Sequence, residues 1–291
     1  MSSFPPSSSV PGLFSLILAT KDRVDELERF FIHLVDQEPA KFECIVVDQN
    51  EDNRLQPVVR RFCQQFPIIH TRSAVGLSKA RNVGLQLARG EFLAFPDDDC
   101  WYPAGLLEKA AQIFAANPEW AGFTGVATSG QEGPSRWKWD KTPGRIDRYN
   151  VWQRGISITV FLRRVVTDRV GFFDEQLGLG ESSIWKSGEE TDYLLRIIEA
   201  DNVLYYMPDF VVYHPDHLPD YKREAQRAFD YGAGMGRVLR LHKYPLHYVL
   251  WQCFRPVLTA CYSILKRNPD RARYFLRAAN GRWTGWLFDH Q

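Results

Sequence analysis

Apolar and polar positions alternate in blocks along the first hundred residues. Phe14 to Thr20 (FSLILAT) is a continuous apolar run that ends in polar residues, a helical pattern follows from Val24 to Val35, and a second apolar run covers Phe42 to Val47. The spacing predicts strand, helix, strand. The alternation then repeats, with Leu55 to Gln65 helical, Ile68 to Thr71 extended, Leu77 to Ala88 helical, Glu91 to Phe95 extended, and a helix opened by Pro103 at its first position. Short apolar runs alternating with helices predict an α/β fold, a mostly parallel sheet with helices on both faces. Ligands of such sheets bind outside the carboxyl ends of the strands.

Beyond Ala121 the pattern loosens. Gly122 to Thr128 reads as a strand, Ser129 to Tyr149 as a long loop of the kind that is usually functional or mobile, and Ile156 to Arg163 as another strand. A helix is predicted over Glu190 to Ala200, then short extended pieces at Val203 to Met207 and Phe210 to Tyr213. From about Asp220 the chain turns helical, aromatic and basic, and no internal repeat is visible. The organisation expected is a disordered Ser/Pro-rich lead over 1–12, an α/β domain over 13–218 and a C-terminal helical extension over 219–291.

Composition narrows the classes. With 45% apolar and 24% charged residues among 291, the chain is globular, and a formal charge of +1 excludes a polyanion groove spread over the whole surface. No nucleic-acid partner is expected, and any charged site must be local. Five cysteines, scattered and without a CxxC pair, read as reduced cytosolic thiols. Met1 to Gly12 lacks a basic n-region and an apolar h-region, so it is read as a lead and not a signal peptide. The nearest approach to a membrane segment, Tyr248 to Leu265, carries Gln252, Arg255 and Pro256 at its middle. A central Arg costs about 2.5–3.5 kcal/mol on insertion, which favours a core-docked or interfacial helix over a span.

The sharpest chemical feature is Phe95-Pro96-Asp97-Asp98-Asp99, three carboxylates directly after an apolar strand. Helix capping accounts for one acid, not three. Their mutual repulsion calls for a counter-charge, and hard divalent cations such as Mg2+ or Mn2+ take carboxylate oxygens while keeping positions open for substrate phosphates.

Four segments together resemble the family 2 glycosyltransferases of the GT-A fold, inverting enzymes that use nucleotide-sugar donors. They are Ala19-Thr20-Lys21-Asp22-Arg23, Val46-Val47-Asp48-Gln49-Asn50, Gly76-Leu77-Ser78-Lys79-Ala80-Arg81-Asn82 leading into Phe95 to Asp99, and Ser187-Gly188-Glu189-Glu190-Thr191-Asp192. They occur in the family's order over about Leu13 to Pro215. The resemblance implies that Thr20 and Arg23 line the nucleotide pocket and that Asp48 accepts a hydrogen bond from the base, typically uracil N3. Lys79 and Arg81 would face the nucleotide or its diphosphate, the alternative for both being a solvated helix face. Asp97, Asp98 and Asp99 match the DxD element, whose outer carboxylates contact metal and ribose. His214, at the end of Phe210 to Tyr213, matches a further metal ligand, with His217 as a nearby decoy.

The segment at 189–192 matches the general-base motif, but Glu190 stands where the family usually has Asp. Asp192 is the alternative base, and Ser187 with Glu190 also has capping-box spacing. For the acceptor, Trp137, Trp139, Trp152 and Trp185 offer rings that could stack on sugars, although packing is the commoner use, and Glu181 lies in the family's acceptor-binding stretch. The C-terminal helices, with Arg237, Arg240, His242 and Lys243, read either as a helical cap or as a docking surface for anionic membrane. The expectation is a cytoplasmic, metal-dependent inverting glycosyltransferase, at the inner face of the membrane if it docks, that serves polysaccharide or glycolipid synthesis in the cell envelope. The rivals are a nucleotidyltransferase and a non-catalytic subunit that binds nucleotide-sugar or glycan.

Overall fold

A computed structural model describes residues 9–37, 39–130, 138–215 and 219–288. Strands and helices first alternate: Val10–Thr20 (β1), Asp25–Val35 (α1), Phe42–Asp48 (β2), Gln56–Phe62 (α2), Ile68–Arg72 (β3), Leu77–Leu87 (α3), Gly90–Ala94 (β4) and Leu106–Ala116 (α4). Then come Trp120–Thr128 (β5), Gly144–Arg145 (β6), Val151–Arg154 (α5), Phe161–Arg163 (β7), Arg164–Val170 (α6), Glu189–Glu199 (α7) and Val203–Tyr213 (β8). Three long helices follow, Ala225–Leu241 (α8), Leu246–Leu265 (α9) and Pro269–Leu287 (α10). β1 starts inside the stretch read as a lead, whose residues 1–8 lie outside the described residues.

The described chain divides into two units. One holds the sheet and comprises the chain up to Val75, Lys79–Phe173 and the stretch from Tyr193 through β8. Its eight strands run in the order β3-β2-β1-β4-β7-β5-β8-β6. β3, β2, β1 and β4 are parallel neighbours, and β7 is antiparallel to both β4 and β5. Those two reversals leave β5 and its parallel partner β8 pointing the same way as β4. The carboxyl ends of β1, β2, β4 and β8 therefore share one end of the sheet.

The periodicities explain the layers. Every residue of β2 is buried, as a parallel strand covered on both faces requires. On α1, Leu27, Phe30, Phe31 and Leu34 are buried at helical spacing, while Asp25, Glu26 and Glu28 sit in the first turn, where the helix dipole favours anions. Stacked rings fill the core, among them Phe92 on Phe114 at 4.3 Å and Phe123 on Phe161 at 5.4 Å between centroids.

Four expectations change. Pro103 does not open a helix: its carbonyl accepts the Leu106 N–H at 3.1 Å, Gly105 turns at φ 72°, and α4 starts at Leu106. Ile156 to Arg163 is not one strand, because the Thr159 and Val160 N–H groups donate to the Ile156 and Ser157 carbonyls at 3.0 Å, with Thr159 Oγ1 also donating to Ile156, and close a 3-10 turn over Ser157–Thr159, which leaves only β7 extended. The two pieces after Val203 are a single strand. The β5–β8 register shifts between Thr124 and Val126, next to Pro208, and this irregularity accommodates a residue with no N–H to donate. The long loop likewise contributes β6 to the sheet edge, and Trp139 Nε1 donates to the Ala127 carbonyl at 2.7 Å.

The second unit comprises Gly76–Ser78, Asp174–Asp192 and the chain from α8 onward. Glycines set how closely its helices approach. A methyl group at Gly232 or Gly236 of α8 would meet the backbone of Ala278 or Arg282 on α10, and one at Gly281 or Gly285 of α10 would meet that of Phe229 or Ala233 on α8. The two helices thus pack backbone to backbone. Pro256 inside α9 cannot donate to the Gln252 carbonyl, and the Arg282 guanidinium on α10 donates to that carbonyl instead. Burial, reinforced by the nearby Arg255 charge, lowers Arg282 to about 10. Gly285→Ala would improve intrinsic helix propensity yet is expected to destabilise the chain by about 1–3 kcal/mol, since backbone must move to admit the methyl group. Urea unfolding of the two proteins checks this.

Candidate active site

In the sheet-bearing unit, the carboxyl ends of β1, β2, β4 and β8 gather most of the residues singled out from the sequence. After β4 the chain continues as Phe95 to Asp99, with Asp97 bridged to Ala19 beside β1. Two residues beyond Asp99, Trp101 and Tyr213 exchange backbone hydrogen bonds of 2.9 and 3.0 Å. That exchange ties the end of β8 to the acidic turn and sets His214 beside it.

Each of the three carboxylates has a cation. Arg81, 2% exposed on α3, lies 3.5 Å from Asp97 Oδ1, and its guanidinium sits over the Phe173 ring. Asp98 accepts from Thr20 Oγ1 at 2.7 Å and from Arg23 at 2.8 Å. Asp99 is paired with Arg23 and, at 3.2 Å, with His214 Nε2. Burial pushes the Asp98 carboxyl up to about 6 against the pull of Thr20 and Arg23. Burial acts the same way on Asp99, but His214 and Arg23 outweigh it and hold Asp99 at about 2. Burial opposes the charges of Arg23 and His214 too, and their carboxylate partners raise both above their ordinary values.

The donor set fits a divalent cation. One oxygen from each of Asp97 and Asp99 and one nitrogen of His214 lie within 4.8 Å of one another. His214 Nδ1 is 2.7 Å from the Pro215 carbonyl, an acceptor only, so Nδ1 carries the proton and Nε2 is the nitrogen directed at the carboxylates. Two carboxylate oxygens with one imidazole suit Mn2+ and admit Mg2+.

Asp48 is fully buried at the end of β2. Its Oδ1 accepts from the Asn50 backbone at 2.8 Å and from the Asn50 side chain at 2.7 Å, and its Oδ2 is 3.0 Å from His70 Nε2. The carboxylate expected to meet a base directly is thus already engaged, and Asn50 and His70, passed over in the sequence, stand around it. Lys79 is half-buried on α3.

In the second unit the acidic segment is held by α8 and the residue after it. Gly188 and Gly234 leave no room for a side chain between the segment and α8, and Ser187 Oγ donates to the Tyr231 carbonyl at 3.1 Å. Asp192 and His242 are both buried and pair at 3.0 Å. Glu190 is half-buried at the start of α7, one residue after Glu189. Of the two candidate bases, Asp192 is the one enclosed against a histidine and Glu190 the one that reaches solvent. Nothing in the local sequence pairs His242 with a residue fifty positions earlier.

The acceptor residues fare differently. Trp185 is 1% exposed with the Arg237 guanidinium 4.2 Å from its ring centre, so it is a packing residue and presents no open face to a sugar. Glu181 is 2% exposed with its carboxylate against Gly76, where a Cβ would collide with it. Trp137 and His217 lie outside the described residues.

Comparison with known proteins identifies the family. The model of glycosyl transferase family 2 matches residues 15–170, more than half of the chain. The chain belongs to glycosyl transferase family 2. The match ends before the acidic segment at 189–192 and before His214. An uncharacterised glycosyltransferase of Haemophilus influenzae is 32% identical over 109 residues, 36% of each protein, so the aligned stretch spans little more than a third of that relative. A mannosyltransferase of Pyrobaculum calidifontis, solved in complex with GDP-Man and Mn2+, superposes with a TM-score of 0.66 at 16% identity over 97% of this chain and 89% of its own. TarS 1-349 of S. aureus, solved with UDP-GlcNAc, gives 0.56 at 16% identity over 89% of each chain. These likenesses carry the fold, a GT-A-like mixed sheet with a C-terminal helical region.

Removing His242 takes a buried hydrogen-bond partner from the Asp192 carboxylate. His242→Ala is expected to cost about 2–4 kcal/mol of stability, and a double-mutant cycle with Asp192→Ala to show a coupling of about 1–3 kcal/mol, read by urea unfolding.

Proposed function

We propose that this chain is a metal-dependent inverting glycosyltransferase that moves a sugar from a nucleotide diphosphate donor, UDP-linked, to a hydroxyl of a glycan or lipid-linked acceptor, in the building of a cell-envelope polysaccharide or glycolipid. The observation that carries the reading is the set Asp97, Asp99 and His214, directed at one point at the carboxyl end of the sheet. Family membership supports sugar transfer, and the complexes of the mannosyltransferase and of TarS support a nucleotide-sugar donor for a fold of this kind.

Asp97, Asp99 and His214 are the residues that would hold Mn2+ or Mg2+. Bound there, the ion supplies positive charge to the diphosphate oxygens as the glycosidic bond breaks. Thr20 and Arg23 orient Asp98 towards the ribose, while Arg81 and Lys79 add positive charge for the phosphates. The polar cluster of Asp48, Asn50 and His70 reads the base. Glu190 is the general base, since its carboxylate is the accessible one of the pair; it takes the acceptor hydroxyl proton as that oxygen attacks the anomeric carbon from the face opposite the diphosphate. Displacement in line inverts the anomeric centre. Asp192, clasped by His242, holds the start of α7 in place.

Titration calorimetry of UDP, GDP and dTDP with Mn2+ is expected to show binding of UDP alone, abolished by EDTA and by Asp97→Ala/Asp99→Ala. A folded protein that binds none of the three with metal present would overturn the donor-site assignment. With the donor sugar then identified, Glu190→Gln should lower kcat by about 10²–10⁴ while nucleotide affinity stays within about twofold. Nucleoside diphosphate should be released without pyrophosphate, and NMR should show a product of inverted anomeric configuration.

A further inference from the structure

Helix α9 is amphipathic in the reverse sense from a core helix. Its buried face is made mostly of small side chains, with Val249, Gln252, Cys253, Pro256, Ala260 and Ser263. The large apolar side chains point outward: Leu250, Trp251, Phe254, Leu258, Tyr262 and Leu265 are 36–81% exposed. At about 100° per residue these six fall within a single arc of roughly 120°. Arg255 and Lys266, both exposed, border that arc on one side. Helix α10 repeats the arrangement, burying Ala272, Ala279, Gly281 and Gly285 while Leu276 and Leu287 are about half exposed. Close helix packing through small residues explains the inner faces but leaves the outer ones unaccounted for. An apolar stripe of this size on a protein surface marks an interaction site.

The charge around the stripe selects its occupant. Among the described residues from Tyr231 onward, Lys243, Arg255, Lys266, Arg267 and Arg273 are exposed and Asp270 is the one acidic residue, although the whole chain is nearly neutral, with 36 basic and 35 acidic residues. A second copy of the chain related by a two-fold axis would set two such basic surfaces face to face. Anionic lipid headgroups would neutralise them while the apolar stripe enters the acyl boundary, and Trp251 and Tyr262 are the ring types enriched at that depth. Beside the stripe, an open groove lined by Ile264, Pro269, Ala272 and Leu276 has Arg273 and Arg277 along it, apolar floor next to guanidinium. No helix among the described residues is long and apolar enough to cross a membrane, so the fit is to a helix pair lying in the interface.

We infer that the outer faces of α9 and α10 form a docking surface for an anionic lipid bilayer. The inference is independent of the sugar-transfer reading; if both hold, the acceptor is met at a lipid surface. The test is flotation of the full-length chain with vesicles of phosphatidylglycerol and phosphatidylcholine, and with vesicles of phosphatidylcholine alone. The wild type should float with the anionic vesicles, weakly or not at all with the neutral ones, and less as salt is raised. Phe254→Glu/Leu258→Glu, two exposed positions, should retain the wild-type thermal melt and nucleotide binding while the vesicle-bound fraction falls about tenfold or more. Absence of flotation by a folded wild type, or equal flotation with both vesicle types, would overturn the proposal. So would a stable dimer in sedimentation equilibrium that the same two substitutions dissociate, since the face would then belong to a second copy. Nucleotide binding, measured on the same samples, separates a failure here from a failure of the sugar-transfer assignment.

Discussion

Three successive carboxylates at the end of a buried strand cannot coexist without cations, and the sheet-bearing unit is arranged around that constraint. Asp97, Asp98 and Asp99 draw their partners from three separate places: Arg23 from just after β1, Arg81 from α3 and His214 from the end of β8. The partners are graded in accessibility. Arg81 is enclosed, while Arg23 is nearly half exposed and spans two of the acids. Arg23, Arg81 and His214 thus hold the acidic turn in shape, and one oxygen from each of Asp97 and Asp99 stays within 4.8 Å of a His214 nitrogen.

The second unit answers a different problem, how to hold an acidic segment at a helix start. The segment at 187–192 is fastened to α8 and its C-terminal end through glycines that admit close approach, a backbone carbonyl at Tyr231 and the buried Asp192–His242 pair. The C-terminal helices are therefore more than a cap, since the residue after α8 supplies a buried partner of Asp192. The same helices close a hydrogen-bond deficit of their own, with Arg282 serving the carbonyl that Pro256 leaves without its helical donor.

Much of this was legible in the residues. Continuous apolar runs marked β1, β2 and β4, and the 3.6-residue period marked α1 to α3, because burial on two faces or on one stripe imposes those patterns directly. The acidic turn and its need for counter-charge were legible for the same reason, since repulsion between neighbours in sequence requires no knowledge of the fold. Legibility failed where a backbone choice was settled by distant contacts. Pro103 looked like a helix start but closes a turn before Gly105, and of the two uses open to Trp185, sugar stacking or packing, its place against Arg237 decides for packing.

By itself, then, the sequence determined the alternation of elements, the location of the acidic turn, the family and the excess of basic charge near the C-terminus, all properties carried by neighbouring residues. The tertiary structure alone decided that β7 runs against its neighbours, that His242 clasps Asp192, that Asn50 and His70 surround Asp48, and that the large apolar side chains of α9 face outward. Those outcomes depend on pairings between positions tens of residues apart. Such pairings are selected by the free energy of packing the whole chain, and no local pattern encodes them.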